Sequence, residues 1–194
     1  MATSIELESL TTKARHVSLV QKLEGGATAL TGADAPLIMV DVNHQRNHDG
    51  RAYLAWRLYP ASAPLAAGTS CEIVLASAAG VYPHLMLNAV LMGDAELYIY
   101  EGATTTGGTL FTPIIRNRNY TTASNVAIAM NPTVTGTGTL IDAQFLAGGV
   151  GKKAGGGGDE SLEYVLKPLT NYLFRMTNVN GTDHAGVLRL EWYE

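Results

Sequence analysis

From Pro36 to the C-terminus the chain is written in short runs that alternate apolar and polar residues, and each run is closed by Gly, Pro, Asn or Asp. A period of two puts successive side chains on opposite faces of an extended strand, whereas a helix needs a period near 3.6. The runs predict strands over residues 51–59, 70–78, 82–91, 95–100, 109–116, 125–130, 139–146, 160–167, 171–178 and 186–193. In the last of these Leu188, Leu190 and Trp192 alternate with Val187, Arg189 and Glu191, so the first set is expected to face a core. Asn180-Gly181 suits a positive-φ turn in a hairpin loop joining the last two strands. About ten short strands with little helix between them predict an all-β chain. The expected architecture is a jelly-roll-like antiparallel β-sandwich over residues 36–194, with an immunoglobulin-like sandwich second because its cysteine pair is missing.

Residues 1–35 follow a different rule. Leu7, Leu10, Ala14, Val17 and Val20 recur at spacings of three and four, and Gly25-Gly26 and the run Thr31 to Pro36 then break the pattern. This reads as an N-terminal arm or short helix with Leu7, Leu10, Val17 and Val20 on its apolar face. The Gly-rich joints favour an arm with reach.

Only 15% of the 194 residues are charged, against 46% hydrophobic, and the formal net charge is −4. That content of apolar residues is too high for a disordered chain. The charge balance draws neither nucleic acid nor an anionic membrane, and no apolar run is long enough to span a bilayer. A surface poor in charge and rich in Gly, Thr, Ala and Ser suits close contact with other protein. The segment Met1 to Glu8 has early carboxylates and no apolar stretch after a basic start, so no secretory signal is expected there. Cys71, the single cysteine, lies in a strand-like run and is expected to be a buried, inert thiol.

No cluster of residues reads as an active site, and neither enzymatic activity nor a cofactor is expected. The Gly-rich stretch 147–158 fails as a phosphate-binding loop, because Leu146 stands where Gly is required and Lys153 where Ser or Thr is required. Asp41 to Gly50 contains His44, His48 and Asp49, which are metal-ligand types. Asn47 and Asp49-Gly50 mark a turn, however, so the expectation is a polar loop with no metal. Glu96, Glu101, Asp142, Asp159, Glu160 and Glu163 show no spacing that pairs them across a cleft. Tyr98 and Tyr100 share one face of their strand opposite Leu97 and Ile99; with Trp56 they would be the aromatic platforms of a sugar-binding surface.

Five segments, taken in order, resemble a known family. They are Ala95 to Thr104, Arg116-Asn117-Arg118-Asn119, Gly151 to Gly156, Glu163 to Lys167 with Asn171-Tyr172, and Leu190-Glu191-Trp192-Tyr193-Glu194. Together they resemble tailed-bacteriophage virion proteins described as capsid decoration, cement or head-fibre-like, over roughly residues 50 to 194. The resemblance implies a jelly-roll-type domain without enzymatic activity, made in the bacterial cytoplasm and carried on the outer surface of the head. Its expected partners are the major capsid protein and further copies of itself, as a dimer or trimer. Arg116, Arg118, Lys152 and Lys153 are candidate contacts to an acidic neighbour, with solvated loop charge as the plainer reading. A glycan-binding head- or tail-fibre module is the alternative. If the arm reading is right, deleting residues 1–30 abolishes co-sedimentation with phage heads and leaves the β domain's circular dichroism unchanged.

Overall fold

The computed structural model describes residues 42–148 and 163–194. Leu7, Leu10, Val17 and Val20 of the expected arm, and Lys152 and Lys153 of the Gly-rich stretch, lie outside the described residues. A short helix, α1 (Val42–His48), leads into four long strands: β1 (Ala52–Tyr59), β2 (Ser70–Ser77), β3 (His84–Leu91) and β4 (Ala95–Glu101). Five short strands follow: β5 (Thr104–Thr106), β6 (Thr109–Phe111), β7 (Ile114–Ile115), β8 (Val126–Met130) and β9 (Thr133–Gly136). The chain closes with β10 (Thr139–Leu146), β11 (Glu163–Val165), β12 (Asn171–Asn178) and β13 (Gly186–Tyr193). Among the described residues no helix is long and apolar enough to cross a membrane.

The protein is an all-β sandwich. One sheet has the order β11-β3-β13-β1-β7 and the other β10-β4-β12-β2-β8-β6, while β5 and β9 pair as a separate ribbon. The ladders within both sheets are antiparallel. From β1 to β4 each strand lies in the opposite sheet from the one before it, and the same holds from β10 to β13. This separates sequence neighbours and puts the two inner faces in register around one interior.

That interior is where the alternation leads. On β13 Leu188, Leu190 and Trp192 are buried, as the pattern predicts, and the register sets Trp192 opposite Tyr53 and Leu190 opposite Ala55. The Trp192 and Tyr53 rings stack with centroids 6.0 Å apart. From the other sheet come Ile73, Leu75, Ile99, Tyr172, Phe174 and Met176. Full burial of side chains this large contributes about 1.5–3 kcal/mol each. Cys71 is buried among them, and burial pushes its thiol up to about 12, so it stays protonated and unreactive. A small second cluster of Val74, Leu173 and Ala103 lies on the outer face of the six-stranded sheet, with Tyr100 and Val134 packed against it.

Several expectations need correction. The stretch expected as a polar loop is helical over Val42–His48. The Gly50 N–H donates to Asn47 O and the Arg51 N–H to Arg46 O, and Gly50 has φ +69°. These are the paired bonds of a helix closed by a left-handed glycine. Thus the Asp49-Gly50 signal is a helix stop rather than a turn between strands. Asn180-Gly181 does not join a hairpin, since β12 and β13 belong to different sheets and Gly181 is not a positive-φ residue. The crossing is organised by buried Asn178. Its side-chain amide donates to Leu65 O, Ala66 O and Thr182 O, and its carbonyl accepts from Asn180. The single strand expected at 109–116 is two, β6 and β7, which pair in different sheets on either side of Thr112-Pro113. Proline supplies no N–H to a ladder. The β5–β9 ribbon has only Thr, Val and Gly and was not anticipated.

Truncating Phe174, fully buried at the centre of the six-stranded sheet, tests this account of the interior. Phe174→Ala is expected to lower unfolding free energy by about 3–5 kcal/mol in denaturant titration.

Candidate interaction surfaces

In β4, β12, β2 and β8 the residues that alternate with the core point outward, and the ladder aligns them in rows. One row runs Leu110, Ala129, Val74, Leu173, Tyr100, Leu140 across the six-stranded sheet. Its middle is covered by the β5–β9 ribbon, where Val134 of β9 packs against that second cluster and Ala103, just before β5, belongs to it. The next rows, Glu72–Arg175–Tyr98–Ala143 and Thr177–Glu96–Phe145, are left open by that ribbon. Arg175 is fixed at their centre. Its Nε donates to Glu72 Oε1 at 2.7 Å, its Nη2 lies 2.6 Å from the same oxygen, and its guanidinium stands 5.8 Å from the Tyr100 ring centroid. Tyr98 donates to Glu96 Oε2 at 2.8 Å, and this hydrogen bond raises the Tyr98 pKa. Phe145 at the sheet edge is 62% exposed. Arg and Tyr, here held by an ion pair and a hydrogen bond, are among the residue types enriched at the anchoring points of protein interfaces.

The five-stranded sheet also has an apolar outer face. Leu54, Trp56 and Leu58 on β1, Val187 on β13 and Val90 on β3 share it, and Leu58 is 57% exposed. Among them Glu191 is held by two arginines, Arg116 at 3.2 Å and Arg189 at 2.8 Å. The helix α1 lies over one end of this sheet, where the Asn43 amide reaches Met86 Sδ at 3.4 Å.

These positions sort the sequence-stated candidates. Arg116 has an ion-pair partner within the chain, whereas Arg118 is exposed in the loop before β8 with no ion pair among the described residues. Tyr98 and Tyr100 share a face as expected, with ring centroids 6.1 Å apart. Trp56 does not join them. It is half-buried, lies in the other sheet and packs edge-on against Phe111. Each of the carboxylates read from sequence and described here has its own partner: Glu96 has Tyr98, Glu101 has Lys167 and Tyr172, and Glu163 has His84 and Tyr193. Those two donors, Lys167 first, hold the Glu101 carboxyl below its ordinary value. His84 lines an open cleft of about 490 Å³ together with Arg46, Arg51, Tyr82 and Glu194. No three His, Cys, Asp or Glu side chains converge to hold a metal among the described residues, so Asp49 does not complete a set with His44 and His48.

Among the described residues β10 is the one long strand that ends a sheet, and its chemistry was not read from sequence. β10 and β11 are the terminal strands of the two sheets on the same side. The pairing of β10 with β4 slips between Leu140 and Asp142, leaving Ile141 as an extra residue. This bulge turns Asp142 toward the interior, where it accepts from Tyr164 of β11 and from Gln144. Burial alone would raise the Asp142 carboxyl, but hydrogen bonds from Tyr164, Gln144 and the Ala143 N–H outweigh it and the carboxyl ends below its ordinary value. Tyr164 is pushed up to about 12 by burial and then by this carboxylate. An inward-facing charge and a bulge both disfavour pairing of an edge with a stray strand. The sequence signal was the doublet Leu140-Ile141, which interrupts the alternation.

Arg175 and Glu72, Glu191 and Arg189, and Asp142 and Tyr164 were likewise not singled out from sequence. Arg175 and Glu72, and Asp142 and Tyr164, are far apart in the chain and meet only through the packing of strands, whereas Arg189 and Glu191 are neighbours on one face of a single strand. Tyr164→Phe is expected to cost about 1.5–3 kcal/mol at neutral pH, the typical loss of one hydrogen bond to a charged acceptor. Because the folded Asp142 pKa is depressed, its contribution is present above 3.8 and fades as pH falls through the folded value. The wild-type and Tyr164→Phe unfolding curves should therefore converge in acid. Comparison of the chain with protein-family models, with curated proteins and with solved structures finds no significant match.

Proposed function

We propose that the chain is a non-enzymatic structural protein of a bacteriophage head, of the capsid decoration or cement type. In this reading it binds the outer surface of the shell and bridges neighbouring capsomers. The observation that carries it is the character of the two outer faces. Both present aromatic or aliphatic side chains around pinned arginines: Tyr98, Arg175 and Phe145 on one sheet, Trp56, Leu58 and Arg189 on the other. A sandwich with solvent on both sides ordinarily alternates apolar inside with polar outside. Two adhesive faces allow one chain to touch two neighbours, which is what a bridge between capsomers requires.

The strand order supports a jelly-roll reading of the sandwich. The two four-stranded sets β11-β3-β13-β1 and β10-β4-β12-β2 hold the eight principal strands, with β5 to β9 inserted between β4 and β10. The resemblance in the segments from Ala95 to Glu194 supports the same class. Decoration acts by linkage. A protein that binds the assembled shell and not its dissociated subunits stabilises the shell by mass action, about 2.7 kcal/mol per site at a hundredfold excess over Kd. Repetition over a lattice makes modest interfaces sufficient. Self-association as a dimer or trimer belongs to the same proposal.

A second reading, a glycan-binding head- or tail-fibre module, draws on the adjacent Tyr98 and Tyr100 rings flanked by Arg175 and Glu96. Such tyrosines can stack on sugars while the charged groups bond hydroxyls. Purified heads lacking the protein separate the two readings. Binding that saturates near capsomer stoichiometry and raises the heat resistance of the heads is the decoration outcome. Binding to a glycan array with none to heads is the fibre outcome. Phe145→Asp should weaken head binding at least tenfold if the six-stranded face makes the contact.

A further inference from the structure

We infer that α1 carries a two-histidine site for a divalent transition metal, formed by His44 and His48. In a loop the two imidazoles would have no fixed relation, but on a helix residues i and i+4 stand one above the other. Their Nε2 atoms are 3.0 Å apart, and the rings meet edge to face with centroids 4.6 Å apart. Both residues are exposed, so further coordination positions are open to water or to a donor from a bound partner.

The separation of the two nitrogens suits a chelated ion. With metal–nitrogen bonds of about 2.0–2.1 Å, a 3.0 Å spacing subtends about 94° at the metal. That is the angle between adjacent positions of a square-planar or octahedral ion. A tetrahedral ion would need the nitrogens about 3.3 Å apart. The spacing thus suits two adjacent positions of a square-planar or octahedral ion, and the intrinsic affinities of nitrogen ligands place Cu(II) ahead of Zn(II). Without metal, one Nε2–H must donate to the other ring's lone pair. On binding, the donor ring moves its hydrogen to Nδ1 and both Nε2 lone pairs reach the ion, with no net proton released from two neutral rings.

The backbone beneath the pair is held from several sides. The closing bonds at Gly50 and Arg51 end the helix one turn after His44. Asn117 donates its side-chain amide to the His48 carbonyl at 3.2 Å, and Asn43 anchors the other end on Met86. A Cβ at Gly50 would lie 2.5 Å from the Tyr120 ring, and its φ of +69° excludes most side chains, so the stop is fixed at that residue. Such a support limits the conformational freedom lost on binding, which is the main gain of a preorganised site.

Titration of the full chain with CuCl2, NiCl2 and ZnCl2 at pH 7.5, followed by calorimetry and by electron paramagnetic resonance for copper, tests the site. The expected result is one Cu(II) per chain with two nitrogen ligands, bound at least tenfold more tightly than Zn(II). His44→Ala and His48→Ala should each weaken copper binding at least tenfold. Arg46→Pro keeps both histidines and breaks the helix, and it should weaken binding as much while leaving the strand signal in circular dichroism unchanged. Copper held by His16, His84 or His184 would survive all three substitutions, and that outcome overturns the proposal. So would tighter binding of Zn(II) than of Cu(II), or no copper bound by the unaltered chain.

Discussion

The packing of Trp192 and Tyr53 against the Phe174 side of the opposite sheet is the constraint on which the rest of the molecule depends. Once these rings are shared between the two sheets, the phase of β13, β1 and β12 is set. A strand shifted by one residue would turn its whole apolar set to water. Every outward position then follows without further choice. Arg175 lies between Glu72 and Tyr98, and Glu191 between Leu54 and Met86, because Phe174 and Leu190 face in. The surface is in this sense a by-product of the core.

The outer faces have an energetic logic of their own. The half-buried pairs Arg175–Glu72 and Arg189–Glu191 add little to folding, since exposed or partly exposed ion pairs are worth about 0–1 kcal/mol. What they provide is order. A pinned guanidinium has already lost the rotamer freedom that it would otherwise lose on binding, so a partner that covers the face meets a prepared surface. The β10 edge is handled in the opposite way. The Ile141 bulge and the inward Asp142 make that edge a poor template, although Phe145 and Leu140 stand exposed beside it. Contact through side chains is thus favoured over strand addition.

Much of the core was legible in one dimension because a strand's periodicity is local. Leu188, Leu190 and Trp192, Leu97 and Ile99, and Cys71 could be assigned to the interior from their neighbours alone. The errors share a cause. Gly50 and Gly181 are both small residues after a polar one, yet one stops a helix and the other lies in a connection between sheets, and only the partners of the flanking amides tell them apart. The ribbon of β5 and β9 was invisible for a related reason: Thr104–Thr106 has no apolar alternation, and its pairing depends on β9 arriving from beyond β8. Of the interaction surfaces, Tyr98 and Tyr100 could be read because they alternate with Leu97 and Ile99 on one strand. Arg175 could not be read, since its meaning lies in Glu72, more than a hundred positions away.

Composition and alternation were enough to commit this chain to an all-β interior with little charge, because burial of alternate side chains needs no knowledge of which strands will meet. Which strands meet was settled in three dimensions. So were the clamp on Arg175, the tie between Asp142 and Tyr164, and the 3.0 Å approach of His44 and His48. Those relations rest on register, on a bulge and on a helix closed by one glycine, and each is a property of backbone hydrogen bonds formed with residues elsewhere in the fold.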